Sequence, residues 1–155
     1  MRNARETQWY ERGPRGKVTL LVEDDSAQVG VNLFVLGPGE PMAMYHWEAD
    51  QEDYLVLSGE ALLIVEDEER PLKQWDFVHT PPDVPHVLVG AGDGPAVIIA
   101  VGARDHQHGD GWGGYPLSDV AAKHNAATEE ETNDPAVAYA RFPGREPAPY
   151  GGWLP

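Results

Sequence analysis

The chain has 155 residues, with 26 Asp and Glu against 11 Lys and Arg for a formal net charge of -15, and it holds 17 Gly, 14 Pro and no Cys. That is the length of one ordinary domain, enough to bury a core without disulfide staples. The lack of Cys excludes thiol redox chemistry, a cysteine nucleophile and a zinc ribbon, while the acidic balance makes nucleic acid and anionic lipid unexpected partners.

Residues 1–16 are mixed charged and polar, carry no apolar stretch of the signal-peptide type, and read as an N-terminal arm. No run approaches the ~18–20 apolar residues of a membrane span, so no membrane partner is expected and the expected location is cytoplasmic. From residue 17 the apolar residues fall in short blocks between turn residues. Val18–Val22 reads as a strand closed by Glu23-Asp24-Asp25. Val29–Leu36 alternates, with Val29, Val31, Leu33 and Val35 on one face, and Gly37-Pro38-Gly39 breaks it. Met42–His46 can form a short strand, and Tyr54–Leu57 with Glu60–Val65 reads as a hairpin around Ser58-Gly59. The acidic run Glu66–Glu69 is then a solvated turn. Asp76–Thr80, His86–Val89 and Ala96–Val101 complete the set, the last two joined by a hairpin turn at Asp93-Gly94. Many short strands of this kind imply an all-β domain over residues 17–102, a sandwich or a closed barrel, and periodicity does not choose between them.

Residues 103–155 are different: rich in Gly, Pro and polar residues, with two brief helical signals. Ser118 can cap a turn across Val120–His124, and Asp134-Pro135 is an N-cap and first-turn pair for a helix over Ala136–Arg141. The tail cannot build its own core. Its aromatic residues Trp112, Tyr115, Tyr139, Phe142, Tyr150 and Trp153 imply an irregular C-terminal arm packed on the barrel or on a second subunit, and a homodimer is expected.

Four residues carry chemistry. His46-Trp47-Glu48 places two ligand-type side chains at i and i+2, which in a strand face the same way. Glu52 follows three residues later, just before the block Tyr54–Leu57, and His86 opens the strand after Pro81-Pro82-Asp83-Val84-Pro85. Two imidazoles and two carboxylates suit a divalent first-row metal such as Fe, Mn, Zn or Co.

The spacing of these residues resembles that of the cupin superfamily. Its first motif, Gly, several residues, His-x-His, three or four residues, Glu, six residues, Gly, is matched by Gly39, His46-x-Glu48, Glu52 and Gly59, and its second in part by Asp76, Pro81, Asp83 and His86. The resemblance covers roughly Val18 to Val101. It implies a single antiparallel barrel of the double-stranded β-helix or jelly-roll type, with His46, Glu48, Glu52 and His86 as the metal ligands. It further implies a small oxygen-bearing organic substrate and a reaction of the dioxygenase or of the isomerase or cyclase type; a metal-free cupin that only binds a small molecule is the alternative. Three departures stand out: Glu48 takes the place of the usual second His, Asp83 that of a turn Gly, and Gly90 that of the closing Asn.

Further candidates flank this set. His79 can point into the barrel and supply the imidazole missing at position 48, or act as a catalytic acid or base beside the ion. Tyr54 shares parity with Glu52 and is expected to face the cavity and touch substrate, whereas Trp47 is expected to face away. His106-Gln107-His108 has ligand spacing but lies among Gly and Asp without a third partner, which reads as a solvated loop. No Ser stands in a G-x-S-x-G setting and no Gly-rich segment has a phosphate-binding or dinucleotide pattern, so hydrolase-triad and nucleotide readings lack support. Glu48 and Glu52 could serve as a glycosidase pair, but that leaves His46 and His86 without a role.

Overall fold

The computed structural model describes residues 1–107, 109 and 111–155. Twelve strands run antiparallel in three groups. The larger sheet takes β1 (Trp9–Glu11), β2 (Lys17–Leu20), β3 (Val29–Leu36), β5 (Glu52–Ser58), β8 (Phe77–Thr80), β10 (Ala96–Ala103) and β12 (Glu146–Ala148), in the order β12-β1-β2-β3-β10-β5-β8. Facing it are β6 (Glu60–Val65), β7 (Glu68–Lys73) and β9 (His86–Ala91), in the order β7-β6-β9, while β4 (Trp47–Glu48) pairs with β11 (Gly113–Gly114). Two short helices, α1 (Asp119–Lys123) and α2 (Pro135–Ala138), follow. Among the described residues no helix is long and apolar enough to cross a membrane.

The core lies between the two sheets. Tyr54 and Val56 from β5, Ala61, Leu63 and Val65 from β6, Leu88 from β9 and Ile98 and Ala100 from β10 meet there, each on the inward parity of its strand. β9 is buried on both faces because α1 and the segment after it cover its back: Val87 and Val89 pack with Tyr45, Ala121, Ala126 and Ala127. Hence its unbroken apolar run.

Two expected hairpins are sheet crossings instead. β5 and β6 share no ladder: at Gly59 (φ 75°) the chain leaves one sheet for the other, and a Cβ there would lie 2.5 Å from the Pro95 carbonyl oxygen. Glycine is therefore required by both backbone conformation and space. β9 and β10 likewise belong to different sheets, so the Asp93-Gly94 turn is a corner. β7 is unheralded in the sequence, because its residues are mostly charged and exposed and only Leu72 packs on the core; the true hairpin is β6–β7, turning at Glu66 and Asp67, both with positive φ. Met42–His46 is not a strand; isolated bridges at its two ends, Pro41 to Val89 and His46 to His86, tie it to β9.

The arms are integrated with the barrel. β1 pairs with β2 on one side and β12 on the other, so strands from both arms extend the larger sheet. Leu33 and Val35, on the alternating face of β3, point away from the interior and pack under Trp9, Tyr150 and Trp153. Trp112, Tyr115, Tyr139 and Phe142 gather on Met44 at the other end. All six tail aromatics thus lie on this chain's own barrel. Both helix caps form as expected, Ser118 accepting from the Ala121 N–H and Asp134 from the Ala136 N–H.

Candidate metal centre

The site is assembled on β5, β9 and the segment leading into β4. His46 and His86 stand directly opposite each other, tied by His46 N–H to His86 C=O (3.1 Å) and His86 N–H to His46 C=O (2.8 Å). Residues so paired across antiparallel strands project to the same face, and the two rings lie 5.0 Å apart. Glu52 comes in from β5, on the same inward parity as Tyr54. Ligand atoms of His46, Glu52 and His86 all lie within 4.8 Å of one another. Glu48 stands beside them, its Oε1 3.3 Å from His46 Nε2, but outside that trio.

Each imidazole is locked in orientation. His46 Nδ1 lies 2.8 Å from the Met44 carbonyl and His86 Nδ1 2.9 Å from the Val84 carbonyl, so both Nδ1 atoms donate and both Nε2 atoms turn inward. There they meet carboxylate oxygen: His86 Nε2 is 3.1 Å and His46 Nε2 3.5 Å from Glu52 Oε2. Two neutral Nε2 lone pairs against a carboxylate are acceptors facing an acceptor. The single Tyr54 O–H can serve one of these acceptors; a proton or a metal ion between them satisfies the rest, and the donor set suits a first-row divalent metal.

The protonation preferences express the same demand. Burial opposes a charge on His46, yet its hydrogen bonds with Glu48 and Glu52 overcome that and raise its pKa well above the ordinary imidazole value. Burial likewise pushes Glu52 up, but the two imidazoles outweigh it and hold the carboxyl well below the usual range. Tyr54 is buried at the heart of this network, its hydroxyl 2.8 Å from both Glu52 Oε2 and His86 Nε2. Burial, seconded by the Glu52 carboxylate, drives the phenol well above its normal pKa, so it keeps its proton. Tyr54 therefore faces the interior, with its hydroxyl engaged by the cluster.

His79 does not join the cluster. It pairs across strands with Asp53, the outward neighbour of Glu52, and its half-exposed ring holds Asp53 Oδ1 at 2.7 Å. Strand parity sends position 53 outward wherever 52 and 54 point in, so His79 lies on the outer face and the catalytic role expected of it has no geometric basis. His106 holds Asp50 at 2.7 Å, and its companion His108 lies outside the described residues. Asp83 adopts the left-handed conformation (φ 65°) that a turn Gly would supply, and its N–H donates to the Glu48 carbonyl, tying the β8–β9 loop to the ligand segment.

The cluster opens into a chamber of ≈ 230 Å³, walled by Asn32, Phe34, Trp112, Tyr115 and Tyr139, with Arg12 and Arg15 from the N-terminal arm. A second cavity of ≈ 330 Å³ shares Asn32, Glu48, Glu52, Ala100 and Trp112 with it and reaches Asp50, Gly102 and Arg104. Tyr115 stacks against His46 at 6.0 Å, and Tyr139 meets Tyr115 edge-on at 5.7 Å. Arg12, Arg15, Tyr115 and Tyr139 escape a reading of the sequence, since no spacing ties either arm to the ligands.

Comparison with known proteins agrees with the strand topology and the cluster. The cupin domain model matches residues 32–102, which run from β3 to β10 and contain all four proposed ligands. Residues 32–102 thus carry a cupin domain of the cupin 2 type. Among solved structures it is similar to a sugar phosphate isomerase of the cupin superfamily from Silicibacter pomeroyi, at 28% identity and TM-score 0.53 over 58% of this chain and 60% of that one. It is also similar to a cupin 2 domain-containing protein from Halorhodospira halophila, at 19% identity and TM-score 0.56 over 70% and 75% of the two chains. A third is the DMSP lyase DddQ from Ruegeria pomeroyi, at 22% identity and TM-score 0.52 over 61% and 50%. This cupin thus spans about three fifths of the isomerase's length and half of the lyase's. No curated protein matches the chain.

Proposed function

We propose that this cupin is a metal-dependent enzyme of the isomerase type acting on a small oxygen-bearing organic molecule. One observation carries the reading: the inward Nε2 atoms of His46 and His86 facing Glu52 Oε2, an acceptor set that calls for a cation. The likeness to the sugar phosphate isomerase supports the reaction class. His46, Glu52 and His86 would hold the ion, and Glu48, beside His46, would offer a carboxylate oxygen as a fourth ligand. A divalent ion held there would supply Lewis-acid chemistry toward a substrate carbonyl or hydroxyl oxygen.

The chain's own residues do the rest. The Met44 and Val84 carbonyls fix both imidazoles, and the Tyr54 hydroxyl orients Glu52 and His86. Tyr115 and Trp112 wall the chamber and limit water beside His46. The chamber's volume, roughly that of seven or eight waters at ~30 Å³ each, sets the substrate size. Metal analysis of protein purified without an affinity tag or chelator tests the reading. Near-stoichiometric metal in the wild type, lost in His46→Ala and His86→Ala, is the expected result; no metal in any sample after reconstitution with Fe, Mn and Zn sinks it.

A further inference from the structure

The chamber also has a cationic wall, Arg12 and Arg15, which among the described residues makes no ion pair. Arg12 is buried; its guanidinium donates to the Met42 carbonyl (2.7 Å) and to the Arg15 carbonyl, lies 4.9 Å from the centre of the Phe34 ring, and leaves Nε without a partner. Burial, aided by the nearby Arg15 charge, lowers its pKa to about 9. The Arg15 guanidinium sits 4.5 Å from the Tyr139 ring centre and 5.4 Å from that of Phe142, with its Nε also buried and unpartnered. Among the described residues, neither arginine has a carboxylate oxygen within 4.0 Å, and the Arg15 side chain donates no hydrogen bond within the protein. Beside them the Asn32 side-chain oxygen is buried and unpaired as well.

A guanidinium drawn out of water without a counter-ion costs stability, and two placed side by side also repel. Tyr139 and Tyr115 connect Arg15 to His46 in an unbroken aromatic wall, and both arginines line the same chamber as Glu48 and Glu52. With a divalent ion at the cluster, the chamber carries surplus positive charge.

We propose that Arg15, backed by Arg12, forms an anion subsite that holds the carboxylate or phosphate group of the substrate while its oxygen-bearing end faces the His46–Glu52–His86 cluster. This rests on the proposed function only for the placement of that second end; capture of the anion by the arginines stands without a metal. The guanidinium fork suits either group because both present two coplanar oxygens to paired N–H donors. Arg15 is the recognition element, since Arg12 spends two of its nitrogens on backbone carbonyls and braces the arm.

The test is isothermal titration calorimetry of the metal-free protein with inorganic phosphate and, separately, with acetate, in chloride buffer of matched ionic strength. One anion per chain should bind the wild type, Arg15→Gln should weaken binding at least tenfold, and Arg15→Lys, which keeps the charge but loses the fork, should fall between. Tighter phosphate assigns the substrate's anion to a phosphate monoester, tighter acetate to a carboxylate. Far-UV circular dichroism establishes that the variants fold; if Arg15→Gln does not, the Arg15→Lys comparison decides. No binding to the wild type, or equal binding by wild type and the folded variant, overturns the subsite. Because the titration uses no metal, it can fail while the metal analysis succeeds, and the reverse.

Discussion

Imidazole–carboxylate contacts occur both inside the barrel and on its surface, and the shorter ones are outside. His79 with Asp53, His106 with Asp50 and His124 with Glu69 each close to 2.7 Å in the open, whereas His86 and His46 lie 3.1 and 3.5 Å from Glu52 in the interior. The surface contacts are single pairs that water screens, worth about 0–1 kcal/mol. Inside, two rings and the Glu52 carboxylate converge with the Tyr54 hydroxyl and, at His46, the Glu48 carboxylate as further partners, so the longer contacts carry more energy and more chemistry. Burial and convergence, more than separation, distinguish a site from a surface pair.

That contrast can be broken by mutation. The largest effect is expected from His46→Leu combined with His86→Leu, which strands the Glu52 carboxylate beside Tyr54 alone; urea denaturation of the metal-free protein should register a loss of about 3–5 kcal/mol. A loss below about 1 kcal/mol would make the interior no different from the surface. Next is Tyr54→Phe, which removes the hydroxyl orienting Glu52 and His86; titration against a competing chelator should show roughly 10–100-fold weaker metal binding with the fold retained.

The pH dependence of the metal-free protein is a subtler discriminator. Glu52 is depressed in the folded state, so its contribution is complete above the unfolded value of 4.5 and fades as pH falls through its folded pKa. His46 is raised, so its contribution is complete below 6.5 and fades as pH rises through its folded pKa. Thermal melts should therefore show greatest cluster stabilisation between those two unfolded values, with the dependence gone in the double-Leu variant. Metal affinity should rise with pH over the His46 titration, since proton and ion compete for Nε2. The smallest effect belongs to His79→Ala: a change within about 1 kcal/mol and unaltered metal content.

What the sequence disclosed follows from what each kind of residue encodes. The neighbourhood of the candidate ligands was legible because i, i+2 spacing puts His46 and Glu48 on one side and Gly39 and Gly59 frame the segment; that Glu48 stands outside the His46–Glu52–His86 trio was not. The strands β3, β8, β9 and β10 were legible from their apolar blocks. Pairing was not: Ser58-Gly59 and Asp93-Gly94 have hairpin composition, but a Gly with positive φ serves a sheet crossing equally well. Nor was β7, which ladders to β6 and sends only Leu72 toward the core. The side of His79 was undetermined until its register with Asp53 fixed it, and the Arg12–Arg15 wall depends on arm contacts that no local pattern carries.

The pairing of β1 with β12 brings residues 9–11 against residues 146–148, about as distant in sequence as this chain allows. Contacts of such separation close late in folding, because the loop entropy must be met first. The N-terminal segment that delivers Arg12 and Arg15 is thus clamped by a strand from the far arm, whereas Glu52 and His86 sit on ladders within the barrel proper and His46 is bridged to His86. The His46–Glu52–His86 cluster and the cationic wall thus rest on different strand pairings. A brief detachment of the arms would open the chamber while the ligand cluster stays formed, which amide hydrogen exchange would see as β1 and β12 exchanging ahead of β5 and β9.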